Sequence, residues 1–187
     1  MGERDIERDI VGHEQIWAPW RLGYILGEQD APKPSTDAPV LPGGDPSCFL
    51  CRDAIEGDDC GRFIVERGAH SVTMLNRYPY NNGHLLVAPR RHVARLDQID
   101  ATEQLDLTQT IARMIALLEK VLKPEGFNVG LNLGRVAGAG VPGHLHWHVV
   151  PRWCGDTNFM PVVTGLRVIP QSLEALWEAL TAELRAT

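Results

Sequence analysis

The sharpest alternation of polar and apolar positions in the chain runs from Gly143 to Arg152. His144, His146 and His148 take every second place, and Leu145, Trp147 and Val149 fill the places between. A two-residue period is that of a strand, in which positions i, i+2 and i+4 share one face. The pattern predicts a strand with its imidazoles on one side, about 6–7 Å apart, and an apolar face on the other. Weaker alternation predicts strands at Arg62–Glu66 and Ser71–Asn76, joined by a turn at residues 67–70. Residues 78–83, with a proline, two asparagines and a glycine, read as a loop, and His84–Ala88 as a buried strand. Phe127–Leu133 is a further strand, with Asn128, Gly130 and Asn132 on one face and Val129, Leu131 and Leu133 on the other.

Helical spacing takes over in two places. Leu107, Ile111, Met114, Ile115, Leu118 and Leu122 form one apolar stripe. Asp100-Ala101-Thr102-Glu103 resembles a capping box ahead of it, and Pro124 and Gly126 end it. Leu173, Leu176, Trp177, Leu180 and Leu184 mark a C-terminal amphipathic helix. Successive strands with hairpin-length turns and one long helix predict an α+β fold built on an antiparallel sheet.

Residues 1–47 break both patterns. The first 15 are charged, and residues 16–25 are rich in aromatics, suited either to core packing or to a wall beside a ligand or partner. Residues 27–47 are rich in Pro, Gly, Asp and Ser. The expected organisation is an N-terminal arm and linker over 1–47, followed by one domain over 48–187. With 187 residues, 44% of them hydrophobic, the chain can bury one substantial core. No apolar run approaches the roughly 20 residues of a membrane span. The acid-and-arginine start does not read as a secretory signal, so a cytoplasmic location is expected. A net charge of −6 argues against binding a nucleic-acid backbone.

In such a compartment the four cysteines are metal ligands or thiols rather than disulfides. Cys48-x-x-Cys51 has knuckle spacing, which is half of a tetrahedral zinc site or else a reduced pair in a turn. Cys60 and Cys154 have no such pairing and read as ordinary residues. An imidazole with a pKa near 6.5 is largely neutral at physiological pH and can attack phosphorus. The glycine-rich stretch Gly134–Gly143 leads directly into the histidine strand. Gly138 and Gly140 there would let backbone N–H groups approach an anion, with the Asn132 amide at the entrance.

The histidine strand resembles the signature of the histidine-triad family, and Asn76–Pro89 looks like that family's earlier nucleotide-side segment. The similarity runs from about Cys48 to Asn158, and Asn76–Pro89, Phe127–Gly134 and Pro151–Phe159 together are similar to the diadenosine-tetraphosphate phosphorylase branch, where aromatic N-terminal arms also occur. The resemblance implies an antiparallel sheet with the long helix packed on it, shared across a homodimer. It implies that His146 attacks the α-phosphate of a nucleotide, that His148 contacts phosphate or bridging oxygen, and that His84 packs near the nucleophile. Asn76, eight residues before His84, matches a ribose-binding position. Zinc-containing members pair the two cysteines with histidines at positions matching His92 and His144, which implies a structural zinc. Magnesium would enter only with the substrate's phosphates. The family's polar residue before the first histidine is replaced here by Gly140 and Val141, which shifts phosphate contacts toward backbone amides and Asn132. The implied activity is nucleotidyl transfer from an adenosine polyphosphate, such as diadenosine tetraphosphate, to phosphate or water. Phosphoramidate or adenylyl-lysine hydrolysis is a variant of it. Two other readings stand beside it: a hexose-1-phosphate uridylyltransferase, and a zinc-stabilised nucleotide-binding protein without turnover.

Overall fold

Five strands form the centre of the computed structural model, which describes residues 39–55, 57–156 and 169–186. The expected aromatic arm at 16–25 and the pair Asn158-Phe159 lie outside these residues. Strands β1 (Ile64–Arg67), β2 (Ser71–Leu75), β3 (Leu85–Pro89), β4 (Gly126–Leu131) and β5 (Trp147–Arg152) are ordered β1-β2-β3-β5-β4, every neighbouring pair antiparallel. Two short helices, α1 (Phe49–Asp53) and α2 (Asp59–Arg62), precede the sheet. The long helix α3 (Ala101–Leu122) connects β3 to β4, and α4 (Leu173–Ala186) closes the described chain. The expected α+β fold is borne out.

Register assigns the two faces. Leu75 pairs with Leu85 and Leu85 with Val149, and these side chains meet Leu107, Met114 and Leu118 of α3 and Leu176 and Leu180 of α4. Each such side chain contributes about 1.5–3 kcal/mol by leaving water. One residue further along, Met74 pairs with Leu86 and Leu86 with His148. That row faces the other way, toward Cys48, Leu50 and Cys51. Helices α3 and α4 therefore cover one face, and the histidines and α1 lie on the other.

Helix α3 begins as expected. Asp100 accepts from the Glu103 N–H at 2.9 Å, and the Asp100 N–H donates to Glu103 at 3.1 Å. Three strand boundaries differ from expectation by two residues or more. β1 starts at Ile64 because Arg62 still belongs to α2 and Phe63 takes a left-handed conformation, φ 57°, at the helix end. β4 stops at Leu131, which leaves Asn132 beyond the ladder. β5 begins at Trp147, so His144 and His146 precede the sheet. The His144 N–H closes a turn onto Val141 O (3.2 Å), and Leu145 N donates to Val93 O (2.7 Å) in the connection after β3. The expected alternation persists through this segment all the same: Leu145 lies in the helix-side core, while His144 and His146 are buried on the opposite side.

Candidate active site and metal centre

The four candidate metal ligands come together first. The N-terminus of α1 supplies Cys48 and Cys51, both buried, three residues apart on a single helical turn. His92 follows β3, and His144 precedes β5. One ligand atom from each of the four lies within 4.8 Å of the others. Cys48 Sγ and Cys51 Sγ are each 3.4 Å from His144 Nδ1, and Cys51 Sγ is 3.1 Å from His92 Nδ1. Tetrahedral zinc, with sulfur at about 2.3 Å and nitrogen at about 2.0 Å, separates such ligands by about 3.5 Å.

The surroundings also suit a cation. His144 Nε2–H donates to Pro89 O at 2.8 Å, which leaves Nδ1 with its lone pair toward the thiols. Burial lowers the His144 pKa to about 4, so the ring is neutral, as a ligand must be. Burial pushes the Cys48 thiol up to about 12, which disfavours a thiolate there until a positive charge balances it. The Asp45 N–H donates to Cys51 Sγ at 3.4 Å. A Cβ on Gly143 would meet His92 Nε2 at 3.2 Å, so the chain passes close against this ring. Cys60 and Cys154 are exposed and stand outside the cluster.

His146 comes next along the same segment. Its Nδ1–H donates to His144 O at 2.9 Å, which leaves Nε2 as the lone-pair nitrogen. Burial lowers its pKa and favours the neutral ring. The His148 ring stands edge-on to it, with centroids 5.1 Å apart. A cleft of about 440 Å³ opens beside His148, lined by Tyr80, Asn128, Gly130, Asn132 and Val150 among others. Asn132 thus shares a cleft with His148.

The loop before β3 supplies the rest. His84 Nε2 lies 2.9 Å from His148 Nδ1 across the sheet. His84 is 1% exposed. Asn76 sits at the end of β2, where its Oδ1 accepts the Tyr78 N–H at 2.9 Å and its Nδ2 lies 3.3 Å from His84 Nδ1. The spacing of eight residues between them therefore reflects a contact, and the same asparagine also caps a turn. Gly138 and Gly140 lie in the turn-rich stretch between β4 and His144. Gly138 has φ 87°, a conformation suited to glycine, and its N–H donates to Arg135 O at 3.0 Å.

Two contributors were not legible as site residues. Tyr80 stacks on His148, with centroids 5.4 Å apart and planes at 21°, and tilts against His84 at 4.6 Å. Asp156 accepts from Arg152, from Asn81 Nδ2 (2.7 Å) and from the Trp153 N–H (3.1 Å), tying the segment after β5 to the Tyr80 loop. The only sequence signal for Tyr80 is an aromatic residue inside a Pro-Tyr-Asn turn, where a purely surface role would not need one.

The chain has relatives among known proteins. Residues 61–154 match the HIT domain family. The chain is 37% identical over 174 residues to AP-4-A phosphorylase from Mycobacterium tuberculosis, which spans 91% of this chain and 84% of that protein. It is 35% identical over 96 residues to the asymmetrical bis(5'-nucleosyl)-tetraphosphatase of Schizosaccharomyces pombe, covering 51% of this chain and 52% of that one. A zinc-bound histidine triad family protein from Mycobacterium smegmatis has the same fold, with TM-score 0.55 at 25% identity over 67% of this chain and 85% of its own. The chain belongs to the HIT domain family.

Proposed function

We propose that this protein transfers nucleotides from dinucleoside polyphosphates of the diadenosine tetraphosphate kind, through a covalent nucleotidyl-His146 intermediate. The observation that carries this is the His146 Nδ1–H bond to His144 O, 2.9 Å, which presents Nε2 as a nucleophile. In the first step the Nε2 lone pair forms a bond to the α-phosphorus, and the phosphorus–oxygen bond to the rest of the polyphosphate breaks. In the second, an acceptor oxygen takes the nucleotide and the lone pair returns to Nε2. Inorganic phosphate as the acceptor agrees with the name of the 37%-identical phosphorylase. His148 lies one strand period on, placed to contact the bridging oxygen.

Asn132, which lines the cleft with His148, and the loop at Gly138 and Gly140 are assigned to the phosphates, and Asn76, whose amide both donates and accepts, to the ribose diol. Magnesium would act through the substrate's phosphates. Zinc is the ion assigned to Cys48, Cys51, His92 and His144, because two sulfurs and two imidazoles at these separations match its preferences. With four protein ligands such an ion would have no open position, so it would add stability and hold His144, whose carbonyl accepts from His146 Nδ1–H. A homodimer sharing the sheet is favoured by β4, which among the described residues is an edge strand with Val129 46% exposed, followed by Leu133 at 48%.

Quenching the reaction with diadenosine tetraphosphate in alkali and mapping the adduct by mass spectrometry tests the mechanism. One nucleotidyl group on His146 is expected, and His146→Gln should lose at least about a thousandfold in rate. Product formation at wild-type rate by that variant would sink the proposal.

A further inference from the structure

The hydrogen bonds around His84 determine where two protons sit. The Tyr78 N–H holds Asn76 Oδ1, and this turns the Asn76 Nδ2 toward His84 Nδ1. The Tyr80 backbone N–H points at the same ring nitrogen from 3.0 Å. Neither a backbone N–H nor an amide NH2 accepts a hydrogen bond. His84 Nδ1 is therefore the lone-pair nitrogen, and the ring proton is on Nε2. That proton is donated to His148 Nδ1 at 2.9 Å. His148 Nδ1 is then a lone pair too, and its own proton sits on Nε2. An extra proton has no good place on this pair. On His84 Nδ1 it would face two donors, and on His148 Nδ1 it would face the His84 N–H.

We propose that this relay makes His148 a hydrogen-bond donor to the leaving group but not a proton donor, so that the enzyme selects phosphate oxygens over amines as leaving groups. The selectivity rests on His146 being the nucleophile, and it concerns which bond to phosphorus that nucleophile can break. With an anhydride, the nitrogen–phosphorus bond forms, the phosphorus–oxygen bond breaks, and the electron pair stays on a phosphate oxygen that is stable as an anion at neutral pH. A hydrogen bond from His148 Nε2–H suffices. With a phosphoramidate, the pair would be left on an amine nitrogen, which must gain a proton as it departs. If His148 supplied its Nε2 proton it would be left as an imidazolate, because Nδ1 has no proton of its own and His84 cannot be resupplied from an N–H that only donates. Asn76 and Tyr80 act here as positioning residues, through His84. The Tyr80 ring, stacked on His148 and tilted on His84, keeps both planes aligned for the bond between them.

Nitrogen-15 NMR on the full chain carrying labelled histidine reads the tautomers directly. His84 and His148 are both expected as Nε2–H tautomers, with the lone pair on Nδ1. In kinetics, kcat/KM for diadenosine tetraphosphate should exceed that for adenosine 5'-phosphoramidate by at least about a hundredfold, the lower end of what general-acid catalysis supplies. Asn76→Asp puts an acceptor beside His84 Nδ1. It should let that nitrogen take a proton, move the His84 signals toward imidazolium and narrow the substrate ratio. Asn76→Ala, which leaves the Tyr80 N–H on that nitrogen and adds no acceptor, should not move the His84 signals toward imidazolium. A protonated His84–His148 pair at neutral pH, or equal rates on the two wild-type substrates with the adduct on His146 in both, would overturn the relay alone. Absence of any His146 adduct from either substrate would instead overturn the nucleophile and the selectivity built on it.

Discussion

Gly83 shows how a residue without a side chain can govern a site. It has φ +76°, and a Cβ there would come within 2.5 Å of Leu122 Cδ1 and 3.1 Å of Pro151 Cγ. It immediately precedes His84, so its backbone sets where that imidazole enters the sheet. Gly83→Ala is expected to cost about 2 kcal/mol for the left-handed conformation alone, seen as a melting temperature lower by roughly 4–8 °C. The kcat/KM should fall further than this loss of stability explains, because His84 would shift away from His148. An alanine variant with the wild-type melting temperature and kinetics would refute this. At this scale the sequence was most informative where chemistry and spacing coincide, as in Cys48, Cys51, His92 and His144. It was silent on direction. That Asn76 turns its amide NH2 toward His84 depends on the Tyr78 N–H, which loop geometry supplies and residue type does not.

Among the elements, α3 was the most legible and holds one bond that was not. Its stripe and its capping box follow from local sequence alone. The partner that completes the box, Arg91, does not, because it stands at the exit of β3. Its guanidinium grips Glu103 with both arms, 2.6 and 2.7 Å, and the carboxylate is 3% exposed. This bond pins the residue before His92 to the start of the helix. The Arg91 guanidinium also holds the Glu103 carboxyl below the usual carboxylate range. A depressed folded-state pKa adds stability above the unfolded value, near 4.3, and that stability is lost as pH falls through the folded value. Glu103→Gln should therefore cost about 2 kcal/mol at pH 7, with a gap from wild type that shrinks below about pH 4. Thermal melts of both proteins at the two pH values check this; a gap independent of pH would count against it. The strand ends were less legible for the same reason that Arg91 was. β5 starts late because the carbonyl that Leu145 bonds, Val93 O, belongs to a connection whose path no periodicity encodes.

At the scale of the whole molecule, the sheet divides its labour between its faces. Helices α3 and α4 cover one side with aliphatic packing, and the other carries the cysteine–histidine cluster, His146 and the cleft. This division was readable from alternation, because a strand with histidine on one side and Leu145, Trp147 and Val149 on the other has to separate them. Assembly was not readable in that way, and it rests on the exposed β4 edge. Native mass spectrometry addresses both whole-molecule expectations together: two chains with two zinc ions. A single chain would remove the shared sheet, and a dimer without metal would remove the zinc. Stripping the ions with a chelator should lower the melting temperature, since a metal that binds only the folded chain stabilises it.

The cluster joins residues 96 positions apart, Cys48 and His144. As the ribosome makes the chain, Cys48, Cys51 and His92 emerge early and must wait, one ligand short, while α3 and β4 are still being added. The last ligand arrives on the same short segment as His146. On the proposed reading, ion capture would be a late event in biogenesis, coinciding with the moment His146 reaches its place: a newborn chain would fill its metal shell only when it is ready to work.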